Sequence, residues 1–490
     1  MTSIAEAILK FAEETPDKVA VYLENEECTY SELATMSKKI AVWLNSVGVK
    51  KGDRVVVEAS HTIEYVAFVY GVHFAECIFA PMEKDSPNER LSDVAAELDA
   101  SLIISINHRD DLKNSYAIAD VWEEVMKIDY SNFKYELPNS DTVAEILHTT
   151  GTTGKSKGVM VSHRAMITMA LGGAELINLQ PDNIWMIPTP MNHAAGLRKM
   201  HMAFLLGSSV CLLDGFMNMK RFFDVMDKRG CTSLYMPPSA IHIMLTLAKK
   251  EMAKLDSQLR FIYSSSALYP QQDKDIMKEL LPHVHMHNAY GGSECGVVCC
   301  LDFNFDEDLP GSVGKAHSLS KLYIVDENGQ KIENTSPENY GFIAIECDSI
   351  MSGYWNEPEL TKNVIKDNRL VMSDFGYILD DGTVILLGRS SDVINIGGFK
   401  VAPSEVEEIA NTVDSVDECL LILSGKDPRS FLKLLVVPKE GCEIDSKEIL
   451  DTIAAKVEPY KLPKKIQIVD EIYKTFNGKI DRKRMIEEYK

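Results

Sequence analysis

Between His148 and Gly158 the chain reads "HTTGTTGKSKG". Thr149, Thr150, Thr152 and Thr153 offer hydroxyls, and Gly151 and Gly154 let backbone N–H groups come close to a ligand. Lys155 and Lys157 add positive charge. Hydroxyls, accessible amides and ammonium groups in one short loop suit the oxygens of a phosphate chain. The loop ends almost like the nucleotide-binding pattern G-x-x-x-x-G-K-[ST], yet residue 149, where that pattern has its first glycine, is threonine. The same pattern also runs straight into a helix whose N-terminus faces the phosphates. Here Gly158 is followed by the β-branched run "VMVSH" and only then by helical periodicity. The loop is therefore expected to join two strands and to serve a different phosphate chemistry. A plain solvated turn is the usual fate of Gly/Thr segments, but not of one that also concentrates lysines.

The elements that must hold such a loop alternate along the first third of the chain. "TYSELATMSKKIAVWLNSVGV" has helical periodicity, "DRVVVEAS" is a short strand, "IEYVAFVYGVHFA" is helical and "CIFAPM" strand-like. "SPNERLSDVAAELD" opens a further helix at Pro87 and leads into the strand "SLIISI". Alternation of this kind predicts βαβ units and a mostly parallel sheet, and it resumes from about residue 180 to residue 300. Beyond "LPGSVGKA" strands and turns dominate, with hairpin signals at Asn328–Gly329 and Asp381–Gly382. The polar, glycine-rich "GRSSDVINIGGFKVAPSEVEEI" then precedes a new helix. We place a domain boundary near Arg389 to Ser391, leaving about one hundred residues for a small αβ domain.

At 490 residues the chain exceeds what one core usually holds. With 45% hydrophobic and 25% charged residues it has the composition of an ordinary globular enzyme. No apolar run is long enough to span a membrane, and "MTSIAEAILKFAEETPDK" reads as an amphipathic helix, so a cytoplasmic protein is expected. The net charge of −22 argues against nucleic acid as a partner. Positive charge for an anionic substrate must then be local to the site. The ten cysteines show no zinc-ligand spacing; Cys295, Cys299 and Cys300 are expected as thiols packed inside the fold.

"TTGTTGKSKG" resembles the signature loop of the adenylate-forming superfamily, which includes acyl-CoA synthetases, peptide-synthetase adenylation domains and luciferases, with Ser156 in place of the usual proline. The likeness covers nearly the whole chain. "TYSEL" at Thr29, "KGDRV" at Lys51 and "SPNERL" at Ser86 match N-terminal blocks. "NAYGGSE" at Asn288, "SDFGYILDDGTVILLGRSSDVINIGGFKVAPSEVEE" and "NGKIDR" at Asn477 follow in family order. The resemblance implies an α/β fold: a large N-terminal domain, residues 1–388, with βαβ-type sheets and a β-rich subdomain, and a small mobile αβ domain, residues 389–490.

It also implies a two-step reaction in which a carboxylate attacks the α-phosphate of ATP and a thiol of CoA, or of a carrier-protein pantetheine, then displaces AMP. Lys479 matches the lysine that bridges the carboxylate and the α-phosphate, and Glu294 the Mg2+ ligand. Tyr290 matches the aromatic residue stacked on adenine, Asp374 the carboxylate that accepts both ribose hydroxyls, and Arg389 a second ribose contact. Ser265, Asn288, Ala289, Gly291 and Ser293 complete the implied nucleotide site; Gly398 and Lys400 of "NIGGFK" belong to the thiol side, where Gly398 lines the pantetheine tunnel. The sequence departs from the family pattern at Ser373, at "SSSAL" (Ser264 to Leu268), and at the hinge position, Ser391, where Asp or Lys is common.

For the acid, "HAAGLRKMHMAFLLG" matches the helix on which amino-acid-activating relatives carry an aspartate, and that position here is Ala194. A free α-amino acid is thus not the expected substrate. "NHAAG", with His193 near the carboxylate, is similar to acyl- and aryl-CoA synthetases. The expectation is a carboxylic acid–CoA ligase; the alternative is a freestanding enzyme that loads a separate carrier protein. A non-catalytic binding member fits less well, because Lys479, Glu294, Asp374 and Arg389 are all present. Ala194, Arg198 and Met202 share a helix face, so Arg198 is placed with Ala194, Ala289, Val297 and Val298 in the acyl pocket. There it pairs either with a second acceptor on the substrate or with an acid of the protein, or it reaches the surface.

Overall fold

Strands Val143–Thr149 and Lys157–Ser162 pair antiparallel, with Thr149 opposite Lys157. The phosphate loop thus joins two strands, as its β-branched continuation predicts. Helix His163–Leu176 follows, capped by the Ser162 hydroxyl, which accepts from the Ala165 N–H. This computed structural model describes residues 1–149, 157–266, 269–390, 392, 394–396, 399–425, 430–474 and 480–490, and only the backbone of residues 395, 399 and 400.

Among the described residues two large sheets organise the N-terminal part. One has seven strands, ordered 353–354, 157–162, 143–149, 78–82, 54–58, 102–105 and 115–117. The other has nine, ordered 315–316, 296–302, 285–292, 261–265, 233–235, 184–187, 209–212, 19–22 and 27–29. In the second sheet the strands from His285–Gly292 to Val19–Tyr22 run parallel, and antiparallel strands close both edges. Parallel strands need covered faces. Helices supply the cover: in Ile63–Phe74 every residue from Tyr65 on is buried, and Ala194–Leu205 is buried from Gly196 on. One apolar cluster takes in residues of both sheets and the helices between them.

Helix Tyr30–Ser46 shows how local sequence fixes an end. Thr29 accepts from the Glu32 N–H while the Glu32 carboxylate accepts from the Thr29 N–H, a reciprocal cap. The turns at Asn328–Gly329 and Asp381–Gly382 reverse the chain, with glycine φ of +83° and +88°. The second joins Arg369–Ile378 to Val384–Arg389 within a five-stranded, β-rich sheet of the described residues. The C-terminal residues have their own core, in which Val401, Val406, Leu421, Leu434 and Ile449 are buried together. The result is a mixed α/β fold, with a large N-terminal domain of several sheets and a smaller C-terminal one. No helix among the described residues is long and apolar enough to cross a membrane.

Candidate active site

The segment Asn288–Glu294 runs off the end of strand His285–Gly292 into a tight reversal toward Gly296–Asp302. The pairing slips between Tyr290 and Gly291. At Gly291 a Cβ would lie 1.9 Å from the Gly296 carbonyl oxygen, so only glycine fits this bulge. The bulge aims Tyr290 and Glu294 at different neighbours.

Tyr290 is buried, and its hydroxyl donates to Asp374 Oδ2 at 2.9 Å. Asp374 lies opposite Arg389 in the β-rich sheet, and its Oδ1 is 3.8 Å from Arg389 Nε. Burial, and then the Asp374 charge, push the Tyr290 phenol well above its ordinary value, so it stays a donor. Glu294 Oε1 accepts from the Tyr354 hydroxyl at 3.0 Å, and the Glu294 carbonyl accepts from the Met351 N–H at 2.7 Å. Lys157, at the foot of the phosphate loop, holds its ammonium 5.4 Å from the centre of the Tyr354 ring. The structure therefore brings together Tyr290, Asp374 and Arg389 on one side of the hairpin and Glu294, Tyr354 and Lys157 on the other.

On the face of the nine-stranded sheet, Ser265 is in register with Ala289, and Ala289 with Cys300. Ser265 Oγ is 3.2 Å from the Tyr235 hydroxyl. Asn288 and Val298 are buried and Val297 half-buried. Ser293 lies in the turn beside Glu294. His193 precedes helix Ala194–Leu205, with its Nε2 3.5 Å from Asn192 Nδ2. Cys295, Cys299 and Cys300 are buried in the main core, and the described residues contain no group of three His, Cys, Asp or Glu able to hold a metal.

Arg198 takes one of the fates its spacing left open. It is buried, and its Nη1 donates to Glu145 Oε2. The other Glu145 oxygen accepts from His201 Nε2 at 2.9 Å, while His201 Nδ1 lies 2.9 Å from the Tyr70 hydroxyl. Burial alone would raise the Glu145 carboxyl, but Arg198 and His201 outweigh it and hold it well below the carboxylate range. Arg198 Nε and Nη2 have no hydrogen-bond partner among the described residues. Thr150, Gly151, Thr152, Thr153, Gly154, Lys155, Ser391, Gly398 and Lys479 lie outside the described residues, as does the side chain of Lys400.

Residues 8–355 match the family model described as AMP-binding enzyme, and residues 405–479 that described as AMP-binding enzyme C-terminal domain. The chain belongs to the AMP-binding enzyme family. It is 27% identical to a long-chain-fatty-acid–CoA ligase of Bacillus subtilis (strain 168), covering 96% of this chain and 92% of that protein. It is 26% identical to bacitracin synthase 3 of Bacillus licheniformis, over 97% of this chain but 8% of that protein. The crystal structure of apo MatB from Rhodopseudomonas palustris superposes with a TM-score of 0.87 at 21% identity, covering 100% and 99% of the two chains.

Sequence reasoning missed four features of this AMP-binding enzyme: Tyr354, Glu145, His201 and Lys199. Glu145 carried a signal, a lone acid inside the apolar strand run "VAEIL". Tyr354 carried none, because sixty residues separate it from Glu294. Lys199 is buried with its ammonium 4.9 Å from the Tyr235 ring centre and 4.7 Å from that of Tyr263. Burial, and next the charge of Arg198, lower it to about 7.

Proposed function

We propose that the protein is an ATP-dependent carboxylic acid–CoA ligase. The observation that carries this reading is the convergence on the hairpin 288–294. Tyr290 meets the Asp374–Arg389 pair there, suited to an adenosine, and Glu294 meets Tyr354, whose ring carries the ammonium of Lys157 on its face. In the first step a carboxylate oxygen of the acid bonds to the α-phosphorus, and the bridging oxygen leaves with pyrophosphate. In the second, the thiol sulfur bonds to the acyl carbon, AMP leaves and the thiol proton passes to solvent.

Asp374 would accept the ribose hydroxyls, with Tyr290 fixing the orientation of the carboxylate. Lys157 and the phosphate loop would hold the phosphates, and Lys479 would neutralise the charge that builds as two anions meet. His193 and Ala194 would border the acid's carboxylate. Among the described residues the Glu294 carboxylate accepts from the Tyr354 hydroxyl, and no group of three His, Cys, Asp or Glu surrounds it. That suits Mg2+, which takes one or two carboxylates and draws its other ligands from phosphate and water. Bound there it would neutralise phosphate charge. Residues 1–388 would bind ATP and acid, while residues 389–490 would turn about Ser391, withdrawing Lys479 and presenting Gly398 and Lys400 to the thiol.

Acid-dependent exchange of labelled pyrophosphate into ATP tests the first step, and thioester formation with CoA the second. Glu294→Ala should abolish exchange; an active variant, or no exchange with any acid, would overturn the reading. Loading of a separate carrier protein is the second reading, favoured by the likeness to part of a much longer synthase. A holo-carrier acylated in preference to CoA would establish it.

A further inference from the structure

Helix Ala194–Leu205 crosses the nine-stranded sheet on the face that carries Ala289 and Val298. Paired residues on neighbouring strands share a face, as do residues two apart on one strand. Tyr235 pairs with Tyr263, Ser265 with Ala289 and Ala289 with Cys300, so these five belong to the same face as Val298. Lys199 enters that face between the two tyrosine rings.

Its surroundings are rich in donors and poor in acceptors. Lys199 is 3% exposed and makes no ion pair or hydrogen bond with any described residue. Among the described residues the buried Tyr263 hydroxyl has no hydrogen-bond partner, and neither have Nε and Nη2 of Arg198. Among the described residues the carboxylate beside this group, Glu145, is already engaged by Arg198 and His201. One carboxylate among the described residues therefore stands against two basic groups. Tyrosine faces attract an ammonium, but they accept none of its hydrogen bonds, and a buried unpaired charge is costly. What is missing is a negatively charged acceptor.

We infer that Lys199, with the free N–H groups of Arg198 and the Tyr263 hydroxyl, forms an anion subsite at the inner end of the acyl pocket, and that the substrate is a short dicarboxylic acid whose second carboxylate it holds. This rests on the ligase reading for the reacting end of the acid. The subsite itself is a property of the helix and the sheet.

The test uses Lys199→Met, which keeps the stem and removes the charge; Arg198→Leu is unsuitable because it would strand Glu145. Malonate, succinate and glutarate are compared with propionate, butyrate and valerate in pyrophosphate exchange, and each acid alone in thermal-shift titration. The wild type should favour one dicarboxylate over its matched monocarboxylate at least tenfold in kcat/KM. Lys199→Met should lose about a hundredfold for that diacid, chiefly through KM, and lose its thermal shift. Lys199→Arg should restore part of both, which a merely structural lysine would not require. Exchange with monocarboxylates that Lys199→Met leaves unchanged in rank, with no diacid shift in the wild type, would overturn the subsite and leave the ligase reading standing. A diacid shift lost in Lys199→Met without exchange from any acid would uphold the subsite and overturn the ligase reading.

Discussion

The Tyr290 hydroxyl and the Asp374 carboxylate, 2.9 Å apart, tie the end of the nine-stranded sheet to the β-rich sheet. The bond sets the rotamer of a carboxylate whose other oxygen faces Arg389 at 3.8 Å. A carboxylate oriented by a buried phenol and close to a guanidinium suits the recognition of hydroxyls.

Asp374→Ala should accordingly raise the KM for ATP about tenfold to a hundredfold, the scale of about 1.5–3 kcal/mol for hydrogen bonds to a charged group. Tyr290→Phe keeps the ring and loses only the tether, so it should raise that KM less than tenfold. Measuring pyrophosphate exchange against ATP concentration compares the two. An equal loss in both variants would mean that the tether, and not the ribose contact, is what Asp374 provides.

Acid should unfold this protein through its buried histidines and Glu145. The His163 imidazole is lowered to about 3, first by burial and then by His73. A group whose folded value is depressed contributes stability above its unfolded value, about 6.5 for histidine, and loses it as pH falls toward the folded one. A shift of this size at a residue 2% exposed is on the order of 4–5 kcal/mol. His201, lowered by burial, and Glu145, held low by Arg198 and His201, act in the same direction. Urea melts should show stability falling from pH 6.5 toward pH 3. Glu145→Ala should cost about 3–5 kcal/mol at neutral pH by leaving Arg198 unpaired. A flat profile between those values would remove the buried network as the cause.

How much of this was readable beforehand varied with distance along the chain. The strands around the phosphate loop, the reciprocal cap at Thr29 and Glu32 and the two glycine turns depend on neighbours, and local periodicity predicts them. The residues assigned to the nucleotide were named by motif. Pairing of Arg198 with an acid of the protein was among the outcomes left open, but not that the acid is Glu145, because a helix face counted in steps of four shows which residues travel together and not what they meet 53 positions away. Lys199 was overlooked for a related reason. It sits about 100° around the helix from Arg198, and only the sheet register shows that this direction leads to Tyr235 and Tyr263.

Lys479 lies outside the described residues, and its role can be separated by half-reaction. If the small domain turns away between steps, Lys479→Ala should lose exchange by about 10²–10³-fold, the scale of one electrostatic donor at a charged transition state. It should still form thioester from supplied acyl-adenylate and CoA. Equal losses in both assays would exclude the two-position scheme.

The pH dependence of diacid binding follows from the groups that face Lys199. From its own helix comes the Arg198 guanidinium; from the sheet come Tyr235, Tyr263 and Cys300, all pushed up by burial. Lys199, lowered to about 7, is the group among them that titrates near neutrality. Its free-chain value is near 10.5, so between pH 7 and 10.5 the unfolded chain binds the extra proton and the unliganded protein gains stability as pH rises. A second carboxylate reverses the preference, since it pairs only with the ammonium. The KM for the preferred diacid should therefore climb as pH rises above 7, while that for its matched monocarboxylate stays level, and Lys199→Met should flatten the difference. Parallel profiles for both acids in the wild type would show that Lys199 does not meet the substrate.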